Sequence, residues 1–100
     1  MNSELIIISE YCVQSHIEPD FILQLEDEGL IEIAIINNER YIHISQLRNL
    51  EQYARWYYDL SINIAGIDVI RNLMSRIDLL QEEILQLREQ SKFFDNENEF

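Results

Sequence analysis

Residues 21–44, FILQLEDEGLIEIAIINNERYIHI, decide how this chain folds. Phe21, Ile22 and Leu25 recur at helical spacing and give a short helix one inward face. Gly29 then ends it, because glycine takes the left-handed conformation at no steric cost. Beyond the stop, Ile31–Ile36 and Arg40–Ile44 are β-rich runs on either side of Asn37-Asn38, a pair that accepts positive φ and so predicts a hairpin. Ile31, Ile33 and Ile35 fall on one face of the first run, with Glu32, Ala34 and Ile36 on the other.

Upstream, residues 4–8 (ELIII) read as a short extended segment. Ser9 is placed to cap a helix over Glu10–Ser15, on which Tyr11, Cys12 and Ser15 share a side. Glu18-Pro19 opens the next helix, since proline fits the first turn and an acid suits the positive end of the helix dipole. Two short helices joined through His16-Ile17 make a helix-turn-helix, and the hairpin after them makes a wing.

Downstream, Ser45 is placed to cap a third helix over about Gln46–Ser61. Leu47, Leu50, Ala54 and Tyr57 form its stripe, and Tyr53, Trp56 and Tyr58 add aromatic area. Asn63 caps a last helix from Ile64 to about Phe94, with Gly66 in its first turns, where close packing is the expected reason for a glycine. That helix repeats every seven residues: Ile70, Ile77, Ile84 and Ser91 at one seam position, Leu73, Leu80, Leu87 and Phe94 at the other. A narrow seam on so long a helix predicts a coiled coil and a homodimer through Ile70, Leu73, Ile77, Leu80, Ile84 and Leu87, in either orientation. The expected fold is therefore mainly α with a small β-hairpin. Its divisions are a winged helix-turn-helix with a third helix over 1–62, a dimerisation helix over 63–94 and an acidic tail over 95–100.

Charge separates this chain from a nucleic-acid binder. The net charge is −12, and residues 1–39 hold nine Asp/Glu with no Lys or Arg. Cationic side chains supply most non-specific affinity for a duplex. A field of this sign repels DNA and draws in basic partners, or else serves solubility. "MNSELIIIS" has no basic flank before its apolar run, so no signal peptide is expected, and no stretch approaches the about 20 apolar residues of a membrane span. The lone Cys12 fits a reduced, cytoplasmic setting and a place in the core.

No catalytic constellation emerges. His16 and His43 are isolated, no metal-ligand spacing or phosphate-cradling glycine loop is present, and neither metal nor cofactor is expected. The chain does not read as an enzyme.

"DEGLI" before a hairpin and "RYIHISQL" leading into a helix resemble the MerR-type winged helix-turn-helix. "WYYDLSINIAGIDVIRNLMSRIDLLQEEILQLREQ" is similar, more narrowly, to the chaperone-modulator CbpM family, over about residues 5–90. The MerR resemblance implies where DNA would be met. The family's arginine falls at Leu23, its tyrosine pair at Gln24 and Leu25, and a second basic position at Asp27. Leu and Asp cannot make arginine's contacts to phosphate or guanine, and the wing offers Arg40 alone.

The CbpM resemblance implies a modulator that binds the J-domain of a CbpA/DnaJ-type co-chaperone, through that domain's basic helix, and inhibits its action on a DnaK-type chaperone. Two faces are open for that contact. One is acidic, with Glu26, Asp27, Glu28 and Glu32; the other is aromatic, with Trp56 and Tyr57 on the third helix. A MerR-type DNA-binding regulator and a dimeric adaptor for another protein are the alternatives.

Overall fold

A computed structural model describes residues 4–97, with side chains described through Lys92. Its elements run β1 (Leu5–Ile7), α1 (Ile8–Ser15), α2 (Pro19–Asp27), β2 (Ala34–Ile36), β3 (Glu39–His43), α3 (Leu47–Ala54) and α4 (Ile64–Glu97). A 3-10 turn over Ile44–Gln46 precedes α3, and a π-helical turn over Arg55–Asp59 follows it. Contacts divide the chain after Asp68 into two units. The fold class expected from sequence is the one observed: mainly helical, with a small sheet, a winged helix-turn-helix order and a long last helix.

Helices α1 and α2 end in the same way, and this makes the helix-turn-helix compact. His16 takes φ 57° after α1, and the N–H of Ile17 bonds the Cys12 carbonyl at 3.0 Å. Gly29 takes φ 73° after α2; its N–H bonds the Glu26 carbonyl and that of Leu30 bonds the Leu25 carbonyl, both at 2.9 Å. Each left-handed residue satisfies orphan carbonyls and delivers a hydrophobe, Ile17 or Leu30, into the core. The Asn37-Asn38 turn has φ 52° and 66°, the mirror-image two-residue turn that matches strand twist.

The hairpin is shorter than the β-rich runs. Ile31 belongs to the core on the way out of α2, and β2 begins only at Ala34, so Ile31 and Ile35 do not line one buried face; Ile35 is 63% exposed. The extended segment expected at 4–8 becomes the third strand of an antiparallel sheet ordered β1-β3-β2. Ile6 lies opposite Ile42, and Ala34 opposite Tyr41.

Two expected caps are replaced. Helix α1 starts at Ile8, with Ile7 as its N-cap and no side-chain cap bond, so Ser9 lies inside the first turn. Ahead of α3, His43 caps the 3-10 turn, its Nδ1 accepting the Ser45 N–H at 3.0 Å, and α3 itself begins after Gln46 with no side-chain cap bond. An N–H can only donate, so Nδ1 is unprotonated and Nε2 carries the proton it gives to the Glu4 carboxylate at 2.9 Å. Asn63 caps α4 as expected, its Oδ1 accepting the Gly66 N–H at 2.7 Å. Helix α4 continues to Glu97, past the expected stop. The side chain of Phe94 and residues 98–100 of the acidic tail lie outside the described residues.

The core of the first unit joins α1, α2, β3, α3 and the first turn of α4. Phe21, Ile22 and Leu25 of α2 meet Ile42 of β3, Leu50 and Tyr53 of α3, and Ile67 of the first turn of α4, each essentially inaccessible. Such burial contributes about 1.5–3 kcal/mol per large side chain. Beside it, Phe21 stacks on Tyr57 at 4.6 Å and meets Tyr58 edge-on at 5.4 Å, while the Tyr58 hydroxyl accepts the Glu18 N–H at 3.0 Å.

Two positions test these backbone assignments. Replacing Gly66 by alanine would ordinarily help a helix, but here the new Cβ would sit 2.8 Å from Ile62 Cγ2 and 3.2 Å from Asn63 Oδ1. Gly66→Ala should therefore cost about 1–3 kcal/mol in urea unfolding. At exposed His16, His16→Val should cost about 1–2 kcal/mol because a β-branched residue resists the left-handed region. His16→Gly should match or slightly exceed the parent in the same measurement.

Candidate functional site

The outward face of α2 follows from its inward one. With Phe21, Ile22 and Leu25 buried, the helix presents Pro19, Leu23 and Asp27 outward, with Asp20 and Glu26 one step round. Leu23, the expected arginine position, is 37% exposed. Gln24 is half-buried and its amide donates to Asp20 Oδ2 at 2.8 Å. Leu25 is wholly inside and faces no ligand. Asp27 is open to solvent.

The four carboxylates expected as an acidic face sit at the close of α2 and just after it. Asp27 ends the helix, and Glu28 follows as its C-cap with no basic residue in the last turn. Glu26 reaches across to the wing, its Oε1 lying 3.8 Å from Arg40 Nη1, with both side chains partly exposed. Arg40 is thus tied to a carboxylate of α2. Glu32 is held by its backbone: its N–H donates to Gln46 Oε1 at 2.7 Å and its carbonyl accepts from Gln46 Nε2 at 2.9 Å. The Gln46 amide stands in for a pairing strand and leaves the Glu32 carboxylate in solvent.

Sequence reading missed this tether, the His43 cap and the Tyr58 clamp on Glu18. The tether, the clamp and the contact of His43 with Glu4 join residues 14 to 40 positions apart, and neither composition nor spacing marks such a pair; the cap itself spans two residues, from His43 to Ser45.

The aromatic face is different in kind. Trp56 and Tyr57 are half-buried, Trp56 with its ring centroid 6.1 Å from that of Tyr53 and Tyr57 stacked on Phe21. Much of their area already serves the core.

A concavity of about 320 Å³ lies beside them, lined by Tyr11, His16, Glu51, Arg55, Tyr58 and Asp59 among others. Burial, reinforced by the Glu51 charge and partly offset by a hydrogen bond with Ser15, raises the Tyr11 phenol above its ordinary value, so it stays neutral at physiological pH. Burial also raises the Cys12 thiol, which disfavours the reactive thiolate and matches its expected core role.

The second unit is helix α4 from Val69 onward. Leu73, Ile77, Leu80, Ile84 and Leu87 are exposed along it and Ile70 is half-buried. Beside them, Val69 and Met74 widen the apolar surface, and Leu79 and Leu85 lie off the seam. These side chains leave an apolar stripe exposed along the helix.

Among the described residues, no group of three or more His, Cys, Asp or Glu is arranged to hold a metal ion. No helix there is long and apolar enough to cross a membrane. The arrangement offers charge and apolar surface; His43, isolated in the sequence, has the Ser45 hydroxyl 2.7 Å from Nδ1 and the Glu4 carboxylate 2.9 Å from Nε2.

Carboxylates at the C-terminal end of α2 oppose the helix dipole. Asp27→Lys with Glu28→Lys should accordingly raise stability at low ionic strength by about 0.3–1 kcal/mol per site. The gain should shrink as salt is added, a trend that urea unfolding at two salt concentrations reads directly.

Compared with known proteins, residues 6–89 match the family described as MerR HTH family regulatory protein. No curated protein and no solved structure matches the chain.

Proposed function

The chain belongs to the MerR HTH family of regulatory proteins, and on that premise we propose that it is a non-enzymatic, CbpM-like chaperone modulator. In this reading it binds the basic helix of a CbpA/DnaJ-type J-domain in the cytoplasm and inhibits that co-chaperone's action on a DnaK-type chaperone. The observation that carries the reading is the outward face of α2, where exposed Leu23 and Asp27 stand at positions that the MerR resemblance assigns to basic residues. The one cation of the wing is engaged by Glu26. A surface of this sign complements a cationic helix and speeds its encounter. Glu26, Asp27, Glu28 and Glu32 are the contact residues assigned, with Trp56 and Tyr57 as the alternative face.

The modulator is taken to act as a homodimer. Ile70, Leu73, Ile77, Leu80, Ile84 and Leu87 form the shared seam, with Ile and Leu alternating as two-stranded coils prefer.

Family membership also supports a second reading, that of a MerR-type DNA-binding regulator. Within the first unit, exposed Arg48 and Arg55 are the cations that serve it besides Arg40.

Calorimetric titration of the full chain with a purified J-domain tests the first reading, and duplex DNA at low salt tests the second. Saturable J-domain binding, weakened about tenfold or more by Asp27→Lys with Glu28→Lys, is the expected result. Tight DNA binding with no J-domain binding reverses the order of the two. In sedimentation, Ile77→Asp with Leu80→Asp should abolish the dimer; a variant that still dimerises refutes the seam.

A further inference from the structure

Beside Leu23 lies a groove that the acidic-face reading does not use. It is lined by Ile8, Pro19, Ile22, Leu23, Ile33 and Arg40, which join the start of α1, the outward side of α2 and the root of the wing. Its volume of about 240 Å³ falls below the about 300–1,000 Å³ of small-molecule sites. The space suits one bulky side chain presented by a larger partner.

We propose that this groove receives an apolar anchor side chain from the partner's basic helix, with the carboxylates around Leu23 holding the cations on either side of that anchor. The inference rests on the protein-binding reading above and locates its centre. Leu23 lies outside the core cluster that Phe21, Ile22 and Leu25 join, and 37% of its surface stays open beside the groove. On the helix surface Pro19, Asp20, Glu26 and Asp27 are its neighbours at three- and four-residue spacing. Three of the four are acids. Arg40, the one cation in the groove lining, is paired with Glu26 and forms a wall.

An apolar floor with Arg40, neutralised by Glu26, in its wall and Asp20 and Asp27 on the helix surface beside it fits an amphipathic segment in which one large hydrophobe lies next to lysines or arginines. Charge excludes polyanionic occupants. A nucleic acid meets carboxylates in place of cations, and an anionic bilayer meets the same repulsion; a second copy of this chain is already assigned to the seam of α4. The arrangement is that of an interface hot spot, an apolar contact shielded from water by a polar rim.

Calorimetry and methyl NMR on the full chain with a purified J-domain test the proposal. Leu23→Ser should weaken binding by about tenfold or more and Leu23→Met by less than about threefold, with the unfolding midpoint near the parent's in both. In the parent, the methyl signals of Ile33 and Leu23 should shift on titration; this second readout holds even if a variant folds poorly. If the parent binds but Leu23→Ser binds equally well, or if binding leaves the Ile33 and Leu23 methyls unmoved, the groove is refuted and the modulator reading stands. If the parent binds no J-domain, that reading falls, and the groove assignment falls with it.

Discussion

Burial of Phe21, Ile22 and Leu25 sets the roll of α2 about its own axis, and the character of the exposed surface depends on that roll. A helix has 3.6 residues per turn, so three inward positions leave no freedom over which residues face out. Leu25 shares one continuous cluster with Ile42 of the sheet, Leu50 and Tyr53 of α3 and Ile67 of α4. Rotating α2 by one residue would bring Glu26 into that cluster. An unpaired carboxylate there would cost several kcal/mol, far more than any surface contact could return. Leu23 and Asp27 are held outward by the same packing that stabilises the domain.

Around this fixed helix the polar contacts are tethers. Gln46 grips the backbone of Glu32, His43 caps the turn into α3 while holding Glu4, and Tyr58 grips Glu18. All three use exposed or half-exposed groups, so each contributes modestly. Together they pin the segments that flank α2 without drawing on its carboxylates. Asp20 accepts from Gln24 of the same helix, and Glu26 is engaged by a long and partly exposed ion pair whose net worth is small. The acids of this face are therefore available to a partner.

Most of the architecture was legible in the sequence because its signals are local. Pro19, Gly29, Asn37-Asn38 and Asn63 each dictate backbone geometry within a few residues of themselves, and all four act where expected. The 2.8 Å approach of Ile62 bears out the close packing expected at Gly66. What could not be read is non-local or degenerate. Ser9 and Ser45 carry good capping hydroxyls, yet neither sits at the boundary, because the strands that precede them run directly into their helices and shift each start. The π-helical turn has no sequence signature. The groove beside Leu23 arises where three separated segments meet, so spacing along the chain does not reveal it. The acidic residues at 26–28 and 32 were visible from the first, and their places at the end of α2 and after it follow from the glycine stop.

The π-helical turn over Arg55–Asp59 holds its residues on a wider circle than an α-helix, so the same axial rise consumes one residue more. That extra residue lets the adjacent Tyr57 and Tyr58 both reach the Phe21 ring. A related chain shorter by a single codon here could follow the same path as an ordinary helix and would keep one tyrosine of the pair in place. Insertion and deletion at this spot thus become a means of altering how firmly the second helix is gripped, with the hydrophobic centre left unedited.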